Sequence, residues 1–135
     1  MLEDKKQILN SVHTIAVVGL SASKTRPGYT VSKFMQEVGY RIIPVNPNLD
    51  EALGEKAYPD LRSVPEPVDM VLIFRRSEHI PPIVDDAIEI GAKVVWMQLG
   101  LVNEAAAQKA RAAGLAVIQD SCIAVDHRQL MRNYD

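Results

Sequence analysis

The side chains most suited to chemistry lie in the stretch VVGLSASKTRPGYT, which runs from Val17 to Thr30. It joins an apolar run to a helical pattern, and the N–H groups at the start of a helix bind anions well. Hydroxyl donors and cations fill the turn between them, namely Ser21, Ser23, Thr25, Lys24 and Arg26. This combination indicates a site for a phosphate or pyrophosphate group. The alternative is a polar turn whose charges are solvated.

The glycine spacing of this stretch differs from that of the common nucleotide-binding loops. A dinucleotide fingerprint GxGxxG that began at Gly19 would need glycines at positions 21 and 24, where Ser21 and Lys24 stand. A Walker A loop would end in Gly-Lys followed by Ser or Thr, and the chain contains no such sequence. The stretch therefore indicates phosphate binding without either of the usual motifs.

A second departure from the dinucleotide pattern follows the apolar run YRIIPV. Nicotinamide-binding units carry an acidic residue at this place, which binds the ribose hydroxyls. This chain has Asn46 and Pro47 there, and no acidic residue before Asp50. The pattern argues against NAD. NADP stays open at this point, because Arg41 or Lys56 could reach a 2′-phosphate.

Two further stretches bring polar groups to the ends of apolar runs. Arg75 and Arg76 follow the run VDMVLIF, and a guanidinium there could bind a phosphate or stack on a flat ring. Gln98 and Gly100 lie at the end of the run KVVWMQL, where the backbone could approach a ligand closely. Solvated arginines are the alternative for the first of these stretches.

One cysteine and one histidine near the end of the chain are candidates for nucleophilic catalysis. Cys122 and His127 could form a nucleophile and its base, but their spacing matches no known catalytic signature. A half-buried structural cysteine is the favoured interpretation. Together with Asp126 the two also lack the spacing of a metal site. We therefore predict no catalytic set and no metal.

Composition limits the class of protein. The chain has 135 residues, 47% of them hydrophobic, which suits a single domain over residues 1–135 with one core. A net charge of −2 gives no electrostatic reason to expect nucleic acid or a lipid surface. No apolar run approaches the length of a membrane span, and no signal peptide is evident. The single cysteine fits a reducing compartment, so we expect a cytoplasmic protein. We expect it to be a monomer or a homodimer.

Apolar, β-branched runs alternate with helical patterns along the whole chain. Their nearly continuous apolarity is typical of parallel strands that are covered on both faces. Strands are predicted at 14–20, 40–45, 68–74, 93–99 and 115–119. Helices are predicted over Leu2–Asn10, between Gly28 and Gly39, from Ile80 to Gly91, after Asn103 and near Arg128, with a short strand at Glu55–Tyr58 and a helical turn near Leu61. The alternation predicts an α/β fold with helical layers on both sides of a mostly parallel sheet of about five or six strands.

The fold class itself indicates where a ligand would bind. In open α/β sheets ligands lie beyond the carboxyl ends of the strands, where the strand order reverses. This rule selects the loops at 20–28, 46–49, 75–79, 98–102 and 119–123. The polar groups discussed above all lie in or beside these loops.

The order of these motifs resembles a known family, the small stand-alone CoA-binding proteins of bacteria and archaea. Their domain is similar to the CoA-binding N-terminal domain of the succinyl-CoA synthetase alpha subunit. The resemblance covers about Thr14 to Arg128 and rests on the stretches IAVVGLSASKTRPGYTVSKFMQEVGYRIIPVNPN, LGEKAYPDL, PVDMVLIFRR, AKVVWMQLG and DSCIAVDHR. It implies a Rossmann-like fold that binds coenzyme A without hydride transfer.

The resemblance also implies which residues meet the ligand. The CoA phosphates would lie on the loop formed by Gly19, Leu20, Ser21, Ala22 and Ser23, with Lys24 and Arg26 as charge partners. The adenosine part would be bordered by Val45, Asn46 and Pro47. The nucleotide or the start of the pantetheine arm would be flanked by Phe74 and Arg75, and the arm would pass Gln98 and Gly100.

The resemblance transfers ligand binding and not ligase catalysis. The phosphorylated histidine of the synthetase lies in a separate domain, and we expect no such domain in these 135 residues. Family members commonly carry Glu before the late histidine, where this chain has Asp126. We therefore expect a protein that binds CoA or an acyl-CoA without being an enzyme. The alternatives are a small NAD(P)-dependent oxidoreductase and a regulatory interaction domain that has no ligand.

Overall fold

The computed structural model describes residues 4–131. Within these residues seven strands lie at β1 (Thr14–Val18), β2 (Arg41–Val45), β3 (Glu51–Ala52), β4 (Glu55–Lys56), β5 (Met70–Ile73), β6 (Val94–Met97) and β7 (Ala116–Ile118). The α-helices of the same range are α1 (Lys5–Ser11), α2 (Pro27–Glu37), α3 (Ile80–Glu89), α4 (Glu104–Ala112) and α5 (Ile123–Leu130). A short 3-10 helix spans Leu61–Ser63, and another spans Ser77–His79.

Five of the strands form a parallel sheet with the order β2-β1-β5-β6-β7. Every residue of these strands is buried except Arg41 and Ala116, which begin β2 and β7. One apolar cluster packs α1, α2 and α5 against one face, and a second packs α3 and α4 against the other. The predicted α/β fold with helices on both sides of a parallel sheet is confirmed, and it is Rossmann-like.

A sixth extended segment flanks the sheet at Tyr58. This residue forms an isolated parallel bridge with Val45, and its amide donates to the Pro44 carbonyl at 3.0 Å. In return the Asn46 amide donates to the Tyr58 carbonyl at 2.8 Å. With Tyr58 counted as the third strand, the order becomes 3-2-1-4-5-6, the order of dinucleotide-binding folds. The strand predicted at Glu55–Tyr58 is thus divided between β4 and this bridge.

The ends of the elements follow local physical chemistry. Asn103 caps α4 by accepting a hydrogen bond from the Ala106 amide at 3.0 Å, as its position before an alanine-rich run predicts. The first strand is shorter than predicted, because the chain turns at Gly19. The first helix begins at Lys5, and the start predicted at Leu2 lies outside the described residues.

The order in which successive strands are added to the sheet reverses between β1 and β5. The chain leaves β1 through α2 on one face to reach β2, and later moves from β5 through α3 on the other face to reach β6. The carboxyl ends of β1 and β5 therefore diverge into loops that run to opposite faces. A crevice forms at such a point, and it is the place where ligands bind in open α/β sheets.

Candidate ligand-binding site

A cavity of about 720 Å³ opens at this edge of the sheet, and we call it the main cavity. It is lined by Gly19, Ser21, Ala22, Arg26, Pro27, Gly28, Asn46, Pro47, Asn48, Leu49, Phe74, Arg75, Arg76, Gln98, Leu99 and Leu101. Nine of the fourteen residues predicted from the sequence are among them. The other five, which do not line the cavity, are Leu20, Ser23, Lys24, Val45 and Gly100.

Gly19 allows the turn that ends β1 and opens the cavity. Its φ of +93° lies in the left-handed region, which side chains other than glycine rarely adopt. A Cβ atom at this position would lie 2.8 Å from the Phe74 carbonyl oxygen and 3.1 Å from Cδ of Arg75. The absence of a side chain therefore lets the Arg75 stem pass across the end of β1.

Gly28 allows α2 to begin directly against the end of β1. The residue is buried, and a Cβ atom there would lie 3.0 Å from the Gly19 carbonyl oxygen. Pro27 precedes it at the first helical position, where its missing N–H group is not needed. The close approach that the third glycine provides in the usual fingerprint is thus made nine residues after Gly19.

Several backbone donors of this region are available to a ligand. Within residues 4–131 the amide N–H groups of Ser21, Ala22 and Gly28 donate to no acceptor. All three residues line the main cavity, and Gly28 lies in the first turn of α2. Unpaired N–H groups and the positive end of a helix dipole together form an anion-binding site.

The hydroxyl groups of the loop are used partly for its own structure. Oγ of Ser21 accepts a hydrogen bond from the Ser23 amide at 3.0 Å, and Oγ of Ser23 lies 3.1 Å from Oγ1 of Thr25. The Ser23 carbonyl accepts from the Arg26 amide at 3.2 Å. These bonds fold the loop into a compact turn, so Ser23 and Lys24 stand outside the cavity and are exposed.

Asn46 links the loops that follow β1 and β2. Its Nδ2 donates to the Leu20 carbonyl oxygen at 3.0 Å, and its Oδ1 accepts from the Asn48 amide at 2.8 Å. An aspartate could make the second of these bonds but not the first, because a carboxylate has no hydrogen to donate. The residue that replaces the acidic ribose ligand of dinucleotide-binding proteins therefore holds the 20–26 loop in place.

The charges around the main cavity are all of one sign. Arg26, Arg75 and Arg76 line it, and no Asp or Glu does. Within the described part of the chain none of these three guanidinium groups takes part in an ion pair. A chain with a net charge of −2 thus gathers three uncompensated cations around one cavity. Such an arrangement favours a ligand with several negative charges.

The opposite wall of the main cavity is apolar and follows β6. Leu99 is 66% exposed and Leu101 is half-buried, so the loop presents hydrocarbon to the opening. Gln98 is buried, and its Oε1 accepts from the Ile123 amide at 3.2 Å, which fixes the start of α5. Gly100 is exposed at φ +86°, and its amide donates to Oδ1 of Asp120 at 2.7 Å.

Seven lining residues were not among those singled out from the sequence, although Arg76 was weighed there as a phosphate ligand. They are Pro27, Gly28, Asn48, Leu49, Arg76, Leu99 and Leu101. All seven fall within the loops that the sheet-edge rule selects, at 20–28, 46–49, 75–79 and 98–102. Strand position thus locates the main cavity. Five of these seven residues are apolar or glycine, which a choice by chemical type passes over.

The possibility that Arg41 reaches a 2′-phosphate is wrong. Arg41 begins β2 and therefore lies at the amino edge of the sheet, opposite the main cavity. Its Nε and Nη2 donate to the two carboxylate oxygens of Glu66 at 2.6 and 2.7 Å, and Nη1 lies 3.3 Å from Glu55. The hydrogen bonds to Glu66 raise the pKa of Arg41 above its usual value. Lys56, the other candidate, lies over the ring of Tyr58 at 5.4 Å from its centroid.

The late cysteine and histidine do not form a pair. His127 packs edge-on against the rings of Phe34 and Tyr40, with centroids 5.8 and 5.7 Å away, and burial lowers its pKa. Cys122 is half-buried at the start of α5, and no hydrogen bond joins it to His127.

Asp126 does not orient the histidine either. Its carboxylate accepts a hydrogen bond from Oγ of Ser121 and lies 3.1 Å from Nζ of Lys5. These contacts join α1 to α5. Across residues 4–131 no group of acidic, cysteine or histidine side chains could hold a metal ion.

Comparison with protein families identifies the chain. A family model described as a CoA binding domain matches residues 13–128. The chain belongs to this CoA-binding domain family. Protein YneT of Bacillus subtilis (strain 168) is 50% identical over 122 residues, which cover 90% of each chain. The solved structure of a hypothetical protein from Pyrococcus horikoshii OT3 is 35% identical, with a TM-score of 0.93 over 98% of this chain and 94% of that one.

The same domain occurs within much larger proteins. An ADP-forming acetate–CoA ligase II of Archaeoglobus fulgidus is 32% identical over 82 residues, which cover 59% of this chain and 12% of the ligase. The family member described here is thus homologous to the CoA-binding domain of such ligases, which are succinyl-CoA synthetase-like, and it spans a small share of their length. In the described range no helix is long and apolar enough to cross a membrane.

Proposed function

We propose that this protein binds coenzyme A or an acyl-CoA in the main cavity. The observation that carries the proposal is the gathering of Arg26, Arg75 and Arg76 around a cavity that no carboxylate lines. Coenzyme A carries a pyrophosphate and a further phosphate, and three guanidinium groups would offset most of that negative charge. Membership of the CoA-binding domain family supports the same ligand.

The pyrophosphate would lie between the 20–26 loop and the start of α2. The free amides of Ser21, Ala22 and Gly28 would donate to its oxygens, and the Arg26 guanidinium would pair with its charge. Gly19 and Leu20 would contribute backbone only, because the Leu20 side chain is fully buried. Ser23 and Lys24 stand outside the cavity. Ser23 would maintain the shape of the loop, and Lys24 would attract the phosphates from a longer distance.

The rest of the ligand would cross the loops that follow β2, β5 and β6. Asn46 and Pro47 would border the adenosine part, with Val45 supporting them from the core. Phe74 and Arg75 would flank the nucleotide or the start of the pantetheine arm. The arm would then pass Gln98 and the exposed apolar loop that contains Gly100.

The proposed role is binding without catalysis. The described residues bring together no nucleophile, base and orienting group around the main cavity. The protein would carry coenzyme A, sense it or present it to a partner, as a single domain in the cytoplasm.

Calorimetric titration of the purified protein with CoA, acetyl-CoA, NAD and NADP tests the proposal. CoA heat is expected without a response to NAD. Arg26→Ala should lower the affinity for CoA about 10- to 100-fold, since a charge-assisted hydrogen bond contributes roughly 1.5–3 kcal/mol to the free energy of binding. Lys33→Ala is the matched control, because it removes one exposed positive charge from α2, the helix that Arg26 precedes, at a position that does not line the cavity. Tight NADP binding with no CoA response would overturn the proposal.

A further inference from the structure

The β6 side of the main cavity carries exposed hydrocarbon. Leu99 and Leu101 line the cavity there, and we call these two residues the apolar wall. Val102 continues the exposed surface just outside the cavity. Of the four large hydrophobic side chains that are exposed among residues 4–131, two belong to this one loop, Leu99 at 66% and Val102 at 48%. Exposed apolar side chains that cluster in this way mark a binding surface.

The loop that carries the apolar wall is held from the end of β7. The Gly100 amide donates to Oδ1 of Asp120 at 2.7 Å, and in return the Asp120 amide donates to the Leu101 carbonyl oxygen at 3.0 Å. Asp120 has a φ of +54°, in the left-handed region that residues other than glycine rarely adopt. Costly backbone conformations of this kind cluster at ligand sites. The exposure of Leu99 is therefore maintained by specific bonds and does not result from a loose loop.

Gln98 adds a hydrogen-bond donor directly beside the apolar wall. Its side chain is only 6% exposed, and its Oε1 accepts from the Ile123 amide at 3.2 Å, which fixes the orientation of the side-chain amide. Nε2 donates to no acceptor within residues 4–131. Because no enclosed side-chain nitrogen or oxygen of the described residues lacks a partner, this nitrogen must reach the open space of the cavity. A nearly buried donor without a partner indicates a ligand that brings an acceptor, such as a carbonyl oxygen.

The apolar wall lies within reach of the free end of a CoA thioester. It follows β6, which is two strands away from β1 in the order β1-β5-β6. At roughly 4.8 Å between neighbouring strands, the two loops are about 10 Å apart. The proposed phosphate site lies at the end of β1, and the pantetheine arm is long enough to cross this distance. The acyl group at the end of the arm would then meet Leu99 and Leu101.

We infer that the apolar wall binds the acyl chain, and that the ligands of this protein are acyl-CoA thioesters with an apolar acyl group in preference to free CoA. Nε2 of Gln98 donates to the thioester carbonyl, and the alkyl chain lies on Leu99 and Leu101. The inference rests on the proposed function, because the arginines and the loop after β1 must hold the CoA part before the chain can reach the wall.

Calorimetric titration of the unmodified protein with CoA, acetyl-CoA, butyryl-CoA and hexanoyl-CoA tests the inference. Each added CH₂ group should raise the affinity about two- to fourfold, the range for a partly to fully buried group. Hexanoyl-CoA should therefore bind about tenfold or more tightly than acetyl-CoA. Equal affinities for all four compounds would overturn the inference, and the proposed function would stand. Absence of binding by all four would instead overturn the proposed function.

A pair of variants locates the chain on the wall. Leu99→Ser should lower the ratio of the hexanoyl-CoA affinity to the CoA affinity about fivefold or more, because the alkyl chain loses its apolar contact. Val125→Ser is the matched control, since it removes an exposed apolar side chain from α5 at a position that does not line the cavity. An unchanged ratio in Leu99→Ser, or the same loss in both variants, would overturn the inference.

The role of Gln98 has a separate test. S-Hexyl-CoA carries a chain of the same length as hexanoyl-CoA but has no carbonyl oxygen. It should bind the unmodified protein about fivefold more weakly, because the bond from Nε2 is not formed. Equal affinities for the two compounds would contradict the contact with the thioester.

Sedimentation velocity of the unliganded protein tests the other occupant of an exposed apolar surface, a second copy of this chain. A monomer, or a dimer that Leu99→Ser leaves intact, would support the inference. A dimer that Leu99→Ser dissociates, together with equal affinities for all the thioesters, would assign the apolar wall to the second copy and overturn the inference.

Discussion

Replacement of Asn46 by aspartate tests how the 20–26 loop is held. The Asn46 side chain donates to the Leu20 carbonyl at 3.0 Å and accepts from the Asn48 amide at 2.8 Å. Asn46→Asp keeps the acceptor but puts a carboxylate oxygen against the Leu20 carbonyl, where two oxygens repel each other. The link between the loops after β1 and β2 is then lost. We expect a less stable protein with a weakened CoA site.

The size of the effect has two parts. Loss of a half-buried hydrogen bond, with one acceptor left unpaired, costs about 1–3 kcal/mol of the free energy of unfolding. For a chain of this length that corresponds to a melting temperature about 3–10 °C lower. The second part is an effect of the new negative charge on the affinity for CoA. At an effective dielectric constant of about 20, a carboxylate about 7 Å from a phosphate costs roughly 2 kcal/mol, or about 30-fold in affinity.

Thermal unfolding at pH 7 and calorimetric titration with CoA measure the two parts separately. Asn46→Ala is the matched control, because it removes the link without adding charge, although it also removes the bond from the Asn48 amide that aspartate keeps. Both variants should lose stability, whereas Asn46→Asp should bind CoA more weakly than Asn46→Ala. Raising the salt concentration should narrow that difference in affinity, since exposed charges are screened. Unchanged stability and affinity in Asn46→Asp would refute the role assigned to this side chain.

Two further changes test the packing at the start of α2 and around the buried histidine of α5. Gly28→Ala should lower the free energy of unfolding by about 1–2 kcal/mol and weaken the binding of CoA, because its Cβ would lie 3.0 Å from the Gly19 carbonyl oxygen. Alanine favours helices more than glycine does, so the loss comes from this contact alone. Thermal unfolding that shows a more stable variant would contradict the close packing. His127 has a lowered pKa because it is buried, so the unfolded chain takes up a proton first and stability falls as the pH drops below about 6.5. His127→Phe should therefore lose less stability between pH 7 and 5.5 than the unmodified protein; equal losses in the two proteins would contradict this origin of the pH dependence.

The sequence predicts the sheet well and the lining of the main cavity in part. The strands are recognisable because burial on both faces of the sheet requires unbroken apolar runs, and short runs of this kind fit few other structures. Leu20 and Val45 show the limit, since both stand at strand ends yet turn their side chains into the core. Only the three-dimensional turn at Gly19 determines which of the neighbouring residues face the cavity.

Contacts between distant parts of the chain could not be predicted from local pattern. The links from Asn46 to Leu20 and from Gln98 to Ile123 join positions 26 and 25 residues apart. Gly28 resembles an ordinary helix-start glycine until the end of β1 is placed against it. A smaller cavity of about 240 Å³, lined by Val18 and Val45 among others, is likewise invisible in the sequence, because it arises where the connection from β2 to β5 leaves the end of the sheet uncovered.

A nuclear magnetic resonance titration of the ¹⁵N-labelled protein with CoA tests the central claim most directly. If the phosphates lie at the start of α2, the amide resonances of Ser21, Ala22 and Gly28 should shift most as CoA is added, because these donors have no partner within residues 4–131. Shifts confined to α1 and α5, or no shifts at millimolar CoA, would contradict the claim.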